Sequence, residues 1–337
     1  MKKFINSPTE YVAEMLEGIY AAHPRELKYV DNDLHCLVTA RQTRPGKVGI
    51  VTGGGSGHLP LFLGYVGNNL LDGCAVGDVF QSPSADQILQ VTKAVDKGAG
   101  VLYLYGNYSG DILNFDLACE MAEMEEIRTL SVRGADDIGS APAERAATRR
   151  GVAGIFFMYK IAGAAAAAGL PLDEVARLAR QAADCTRTIG IGLSPCIIPE
   201  VGQAAFSVAG NEMAIGMGIH GEPGISTDAL GTADDIIDRI LPLLLNELHF
   251  TPNDRAAVLL NGLGGTPLDE LYILFRRVKQ RLEQRDIAVF HAYQGEYATA
   301  MEMTGFSLSI CQLNDELTGY LAASACTPFF CQPELAG

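Results

Sequence analysis

The stretch KVGIVTGGGSGHLP (47–60) joins a short apolar run to a glycine-rich segment. The run 47–53 is typical of a buried strand, and the glycines after it let the backbone approach a ligand or a helix closely. Further apolar runs at 100–107, 256–262 and 287–293 alternate with predicted helices. This alternation predicts an α/β fold built from βαβ units around largely buried sheets, with a site on the loops at the strand ends.

Helical patterns lie between these runs. Ser7–Pro8–Thr9–Glu10 predicts a capping box that opens the first helix, and the stretches 151–169 and 172–184 predict two further helices. The length of 337 residues fits about two domains. We expect two α/β domains, residues 1–185 and residues 186–337, with a site built from loops of both.

Composition excludes several classes of function. The formal net charge is −15, and no block of Lys and Arg is present, which argues against nucleic acid or an anionic membrane as a partner. The eight cysteines contain no CxxC pair, so neither a zinc site nor a disulfide framework is predicted, and no metal site is expected. The sequence has no run of membrane-spanning length, which favours a cytoplasmic protein.

The first candidate loop is TGGGSGHLP (52–60). A P-loop needs Lys and then Ser or Thr after its last glycine, whereas His58 and Leu59 follow here, and the spacing does not make a GxGxxG fingerprint. The loop suits a small polyol or a phosphate better than a nucleotide, with His58 at the rim. The structural alternative is a glycine turn that packs a helix close to a sheet.

The second candidate loop is GNYSGDILNF (106–115), again between a predicted strand and a predicted helix. Asp111 is a candidate N-cap for a helix that begins at Ile112, and equally a candidate general base. The sequence leaves both roles open, and they are compatible.

The third candidate loop is GIHGEPG (218–224). His220 has no second histidine at ligand spacing, which argues against a metal site. Gly221 leaves space beside the His220 ring, which a histidine that only packs in the core does not need. A general base and a covalent nucleophile remain the open roles.

The three loops together resemble the dihydroxyacetone kinase family, in particular its sugar-binding K subunit. The motifs that carry the resemblance are GGGSGH, GNYSGDILNF and NEMAIGMGIHGEPG, and the similarity continues through the segments 149–154, 188–192, 261–272 and 303–310. It covers nearly the whole chain, and the joint occurrence of the three loops makes it specific.

The resemblance implies roles for the loop residues. In this family the histidine of GIHGEPG attacks the ketone carbon of a short ketose and holds it as a covalent hemiaminal, so His220 is the expected anchor. Glycerol lacks a carbonyl and escapes capture, which gives discrimination by bond formation. Gly218 and Gly221 are expected to leave room for the tetrahedral adduct. His58 and Asp111 are the expected acid/base pair.

The resemblance also implies a substrate pocket and partners. The expected substrate-binding residues are Gly55, Ser56, Gly57, His58, Gly106, Asp111 and His220. No cofactor is expected on this chain, because the nucleotide and Mg²⁺ of the family belong to a separate L subunit. The phosphoryl source is expected to be ATP or a phosphotransferase-system protein that acts through the L subunit. The family is homodimeric, so a homodimer is expected.

Two residues depart from the family pattern. Gly106 stands where the family usually has a substrate-binding Lys, and Leu59 stands where it has Glu. Loss of the Lys is expected to open space beside the sugar, which predicts acceptance of a four-carbon ketose such as erythrulose. The alternative interpretation of these departures is a non-catalytic, ketose-sensing coregulator of a transcription factor. A nicotinamide-dependent oxidoreductase is disfavoured by the malformed glycine fingerprint.

Overall fold

A computed structural model describes residues 2–204 and 206–336 of the chain. These residues form two six-stranded sheets, one two-stranded sheet and eight α-helices. The predicted α/β class is therefore confirmed. No helix among the described residues is long and apolar enough to cross a membrane.

The first sheet contains the strands of the amino-terminal half, in the order β1-β2-β4-β3-β5-β6. The strands are β1 (Leu27–Val30), β2 (Asp33–Thr39), β3 (Gly49–Ser56), β4 (Gly73–Val79), β5 (Val101–Gly106) and β6 (Thr129–Gly134). β4, β3, β5 and β6 are mutually parallel, whereas β1 and β2 add antiparallel pairings at one edge. The carboxyl ends of β3 and β5 therefore lie side by side, as the βαβ pattern predicts.

Helices cover both faces of this sheet. They are α1 (Tyr11–Ala22), α2 (Ala85–Val95), α3 (Ser109–Met124), α4 (Ile155–Ala168) and α5 (Leu172–Asp184). Successive residues of one strand enter different cores: Leu102 and Leu104 face the core that contains α4 and α5, and Tyr103 faces the core that contains α2 and α3. Burial on both faces explains why β5 is a continuous apolar run without alternation.

The second sheet has the order β11-β10-β12-β7-β8-β9. Its strands are β7 (Thr186–Gly192), β8 (Glu212–Ile215), β9 (Ser226–Ala229), β10 (Arg255–Gly262), β11 (Ala288–Gly295) and β12 (Gly305–Leu313). The helices that follow along the chain are α6 (Ala233–Leu245), α7 (Leu268–Glu283) and α8 (Asp315–Ala322). A short hairpin of β13 (Ala325–Cys326) and β14 (Cys331–Gln332) ends the chain. The predicted βαβ unit is found in β10-α7-β11, and the remaining pairings are antiparallel.

The two sheets share a core through α4. The ring of Phe156 in this helix lies 4.9 Å from the rings of both Tyr293 and Tyr297 beside the second sheet. Twelve residues of α4 are buried, which explains its run of small alanines as close packing on several sides. β7 begins at Thr186, but α4 reaches across, so the division into domains at residue 185 remains a prediction.

Two local expectations were wrong. The helix α1 begins at Tyr11, and Glu10 caps it without any side-chain hydrogen bond, while the Ser7 hydroxyl pairs with Thr9 instead. The glycine run is also part of a strand, since β3 continues to Ser56 and pairs with β4 throughout. Neighbouring side chains take the space that the missing side chains leave: a Cβ on Gly54 would lie 2.3 Å from the ring of Phe62.

Candidate active site

The three predicted side chains come together where the two sheets meet. His58 follows β3, Asp111 lies in the first turn of α3 after β5, and His220 lies in the loop between β8 and β9. The rings of His58 and His220 are nearly perpendicular, with their centroids 4.7 Å apart. Asp111 is close enough for His220 to act on the pKa of its carboxyl group. The strand-end geometry therefore assembles residues that are far apart in sequence.

His58 is buried and presents one free nitrogen. Its Nδ1 lies 2.8 Å from the carbonyl oxygen of Thr299, so Nδ1 is the protonated nitrogen and donates this bond. Its Nε2 is buried without a hydrogen-bond partner among the described residues. Burial lowers the pKa of His58 to about 3, and nearby His220 acts in the same direction. The ring also stacks on Phe80, with centroids 4.7 Å apart. His58 is therefore a neutral imidazole whose free nitrogen accepts a hydrogen bond.

Asp111 is not the N-cap that the sequence suggested as one option. The helix α3 begins at Ser109 after Tyr108, so Asp111 is its third residue, and its carboxyl group is free for other contacts. Its Oδ1 is buried and has no partner among the described residues. Burial raises the pKa of Asp111 to about 6, against the opposing effects of Ser82 and His220. A carboxyl group with this pKa exchanges a proton readily near neutral pH.

His220 is held from one side by Glu222. The Nδ1 of His220 lies 2.8 Å from one carboxylate oxygen, and the backbone N–H of His220 donates to the other at 2.9 Å. Burial opposes ionisation of Glu222, but the hydrogen bond from His220 and the charge of Arg150 prevail and lower its pKa to about 2. Nδ1 therefore donates to a carboxylate, and Nε2 is left on the opposite edge of the ring.

The sequence analysis missed Glu222, although it stands inside the quoted GIHGEPG motif. It also gave no role to Arg150, which lies 3.7 Å from Glu222 and donates to the buried Asp137 at 2.8 Å. A Glu two residues after a candidate nucleophile was the local signal for the first. No local signal pointed to Arg150 and Asp137, because both come from the first half of the chain.

Gly218 has a further function besides the one expected. A Cβ at this position would lie 2.2 Å from Oε2 of Glu222 and 2.7 Å from a guanidinium nitrogen of Arg150. The missing side chain therefore makes room for Glu222 and Arg150, and room for an adduct stays a prediction. Gly221 has φ +79°, a conformation that favours glycine, so it serves the turn after His220.

The glycine loop beside His58 is closely packed. A Cβ on Gly55 would lie 2.6 Å from the backbone of Gln81, and a Cβ on Gly57 would lie 2.8 Å from the ring of Phe80. The hydroxyl of Ser56 donates to the carbonyl oxygen of Gly77 at 2.8 Å. Close packing of this segment, the structural alternative for the loop, thus accounts for part of its glycine content. Contact of the loop backbone with a sugar remains a prediction.

The space beside Gly106 is occupied. A Cβ there would lie 3.0 Å from the ring of Tyr108 and 3.4 Å from the carbonyl oxygen of Gly151. The Tyr108 ring also stands perpendicular to His220, at a centroid distance of 4.8 Å. Burial raises the pKa of Tyr108 well above its usual value, so its hydroxyl remains neutral. The expected opening beside the sugar is therefore closed next to the backbone by this aromatic ring.

No group of three or more His, Cys, Asp or Glu side chains in the described part of the chain is arranged to hold a metal ion. The polar groups of the site are instead suited to proton transfer and to bonding with carbon. His58 Nε2 and Asp111 Oδ1 are two buried polar atoms that lack partners. Buried polar atoms usually have a hydrogen-bond partner, so these two atoms beside His220 are suited to bind a polar ligand or an ordered water.

Comparisons with known proteins agree with this geometry. The Dak1 domain family matches residues 17–329. The chain is 42% identical over 330 residues to the dihydroxyacetone-binding subunit DhaK of PTS-dependent dihydroxyacetone kinase 2 from Listeria innocua, covering 98% of this chain and 99% of that one. It is 40% identical to the D-erythrulose kinase of Mycolicibacterium smegmatis, where the match covers 98% of this chain and 56% of the relative.

A solved structure has the same fold. The dihydroxyacetone kinase from C. freundii, crystallised with AMP-PNP and Mg²⁺, superimposes with a TM-score of 0.91 at 32% identity. The match covers 100% of this chain and 62% of that one, so the longer kinases contain a further part that this chain does not match. The family match spans well over half of the chain, and the Listeria relative matches end to end. The chain therefore belongs to the dihydroxyacetone kinase family, as a Dak1-domain protein similar to its DhaK subunits.

Proposed function

We propose that this chain is the substrate-binding subunit of a dihydroxyacetone-type kinase and that it captures a short-chain ketose covalently on His220. The observation that carries the proposal is the arrangement at the ring of His220. Its Nδ1 is engaged by Glu222, and the centroid of its ring lies 4.7 Å from that of His58; His58 and Asp111 each keep a buried polar atom without a partner among the described residues. This arrangement provides a nucleophile and two groups that exchange hydrogen bonds or protons with a polyol.

Capture follows from ordinary carbonyl chemistry. Nε2 adds to the ketone carbon, the electron pair of the C=O bond moves to oxygen, that oxygen takes a proton, and the ring releases its Nδ1 proton so that the adduct is neutral. The product is a hemiaminal with a hydroxyl where the carbonyl was, and no water is lost. Glycerol has no electrophilic carbon and cannot react in this way, so bond formation separates ketoses from polyols.

Asp111 is the better candidate for the base that activates the terminal hydroxyl of the ketose. Its pKa of about 6 leaves most of it ionised at pH 7, whereas His58, with a pKa of about 3, is already neutral and binds protons weakly. His58 Nε2 then accepts a hydrogen bond from the ketose and helps to orient it. General base catalysis works best when the pKa of the base is close to the operating pH.

The ketose is dihydroxyacetone or a four-carbon relative such as erythrulose. Relatives of comparable similarity bear both names. With the space next to Gly106 filled by Tyr108, the case for erythrulose depends on those relatives and on the lost Lys, and not on an opening beside the backbone.

Phosphoryl transfer needs a donor on another chain or domain, because the sequence contains no P-loop. We assign this task to a nucleotide-binding L subunit that carries the nucleotide and Mg²⁺. The phosphoryl group comes from ATP or from a phosphotransferase-system protein that acts through this subunit. A cytoplasmic homodimer is part of the same proposal. The coregulator alternative has less support, because the relatives reported above are kinases or kinase subunits and both His58 and Asp111 are retained.

Native mass spectrometry tests the capture step. Wild type, His220→Ala and the exposed-histidine control His249→Ala are each incubated with dihydroxyacetone, erythrulose and glycerol. We expect a mass increase equal to the whole ketose for wild type and the control, no adduct for His220→Ala, and none with glycerol. Absence of an adduct with both ketoses in wild type would overturn the proposal.

A further inference from the structure

We propose that Glu222, held in turn by Arg150 and Asp137, is a positioning residue that fixes the ring tautomer of His220 and turns Nε2 toward the substrate. The chemical consequence rests on the proposed function, but the tautomer is defined without any ketose. Glu222 does not touch the reacting carbon in this arrangement and acts through His220.

Two hydrogen bonds define the orientation of His220. One carboxylate oxygen of Glu222 accepts from Nδ1 of the ring, and the other accepts from the backbone N–H of His220 itself. The carboxylate thus spans the ring and the main chain of the same residue, which leaves the ring little freedom to rotate. An ionised acceptor requires Nδ1 to carry the proton, so the lone pair belongs to Nε2.

A second layer holds the carboxylate. Arg150 lies 3.7 Å from Glu222, donates to Asp137 at 2.8 Å and donates to the carbonyl oxygen of Gly216 at 3.1 Å. Asp137 is almost fully buried, and it also accepts the backbone N–H of Gly139 at 2.9 Å. These contacts fix the guanidinium group in place, so the position of Glu222 depends on residues from both halves of the chain.

Close packing restricts this chain of contacts, although the side chains of His220 and Glu222 stay 22% and 29% exposed. Any Cβ on Gly218 would collide with Glu222 and Arg150. On the other side the His220 ring meets Phe80 and Tyr108 edge to face, at 5.1 and 4.8 Å between centroids. The ring is therefore clamped between two aromatic side chains and one carboxylate.

The orientation matters because of the charge that capture creates. When Nε2 forms its bond to the ketone carbon, the ring becomes an imidazolium and the former carbonyl oxygen becomes an alkoxide. Both charges are removed when the oxygen gains a proton and Nδ1 releases its proton to solvent by way of Glu222. A carboxylate already bonded to Nδ1 stabilises the imidazolium as it forms, in the way that outer partners tune metal-bound histidines.

The test reads the tautomer and the capture rate separately. ¹⁵N NMR of the His220 ring, recorded without ketose, is expected to show the Nδ1–H form in wild type. Glu222→Gln keeps the size of the side chain but can also donate, so a mixture of tautomers is expected. Its rate of adduct formation should fall by about 10- to 100-fold, the usual effect of losing an outer partner. Gly218→Ala should act in the same direction, because it displaces the carboxylate.

Glu212→Gln, in β8 and outside these contacts, is the matched control and should leave both readings unchanged. An Nε2–H ring in wild type, or a Glu222→Gln variant with the wild-type tautomer and rate, overturns the positioning role. An Nδ1–H ring that shifts in Glu222→Gln, combined with no adduct in wild type, upholds the positioning role and overturns the proposed function.

Discussion

At the scale of single residues, burial shifts the pKa values of two titrating side chains in the site. His58 and Asp111 have pKa values of about 3 and about 6, so burial has moved both in the direction that favours the neutral form. For the histidine this gives a permanently neutral acceptor at physiological pH. For the aspartate it gives a carboxylate whose charge is costly to keep in place.

Replacing Asp111 by Asn should therefore raise stability while it removes phosphoryl transfer. The folded-state pKa of Asp111 lies above its unfolded value, so wild type loses stability as the pH rises from about 4 to about 6, and Asn does not titrate. At pH 7 we expect the free energy of unfolding of Asp111→Asn to be about 1–3 kcal/mol higher than that of wild type. Urea unfolding at pH 4 and pH 7 measures this, with the exposed Asp116→Asn on the same helix as control. An equal difference at both pH values would refute the explanation.

The residue scale also shows what sequence reasoning could find. Glycine-flanked polar residues at strand ends, such as His58 and His220, are visible locally because the glycines have no other clear purpose. Arg150 is not visible in this way, since its partner Glu222 lies about seventy residues further along the chain, and Asp137 joins the site only through Arg150. The packing of Gly218 against Arg150 could not be predicted for the same reason, because Arg150 is far from Gly218 in the sequence.

At the scale of elements, an ion pair between the buried Arg149 and the partly exposed Glu247 ties the segment before α4 to the end of α6. Arg149 is 1% exposed, and two of its nitrogens donate to the two carboxylate oxygens of Glu247 at 2.5 and 2.8 Å. Arg187 in β7 donates to the same carboxylate at 3.1 Å. Arg149 is adjacent to Arg150 in the sequence. The ion pair of Arg149 therefore also fixes the backbone segment whose Arg150 contacts Glu222.

Glu247→Ala should destabilise the fold by about 3–5 kcal/mol, because it leaves the buried guanidinium of Arg149 without its counter-charge. Glu174→Ala is the matched control: its carboxylate pairs with Arg177 on the surface and contributes less than about 1 kcal/mol. The free energies come from urea unfolding of the three proteins. Similar losses for both variants would contradict a special contribution from the pair of Arg149 and Glu247.

The elements themselves were predictable to different degrees. Strands buried on both faces, such as β5 and β10, have apolar centres and were located from the sequence, as were α4 and α5. The antiparallel half of the second sheet was not anticipated, because β7, β8 and β9 are short or glycine-rich and their pairing depends on distant partners. The start of α1 was misplaced because the Ser7 hydroxyl pairs with Thr9, so a matching cap motif did not produce a cap.

At the scale of the whole molecule, the site belongs to neither half of the chain. The backbone of the His58 loop is bonded to the segment after β11: Met301 N–H donates to Gly57 and Thr299 N–H donates to His58. The His220 loop contributes from the second sheet, while Asp111 and Arg150 contribute from the first half. A bound ketose would thus link contacts across the boundary between the sheets.

Ketose capture should accordingly slow hydrogen exchange in both halves. With saturating dihydroxyacetone we expect greater protection of the segments 57–60 and 218–224 together, and a higher melting temperature, because binding stabilises only the folded state. His220→Ala, treated in the same way, should show neither change. Protection confined to one of the two segments would show that the ketose does not bridge them.

The hydrogen bond between His58 and Thr299 spans 241 residues of sequence. During synthesis the amino-terminal loops leave the ribosome long before Thr299 has been added. Until then the imidazole of His58 lacks the carbonyl oxygen that fixes its tautomer. Contacts of such long sequence separation form slowly and late. We therefore expect the ketose capture proposed for His220 to require a folded chain that already includes Thr299, and a chain truncated before Thr299 should form no adduct.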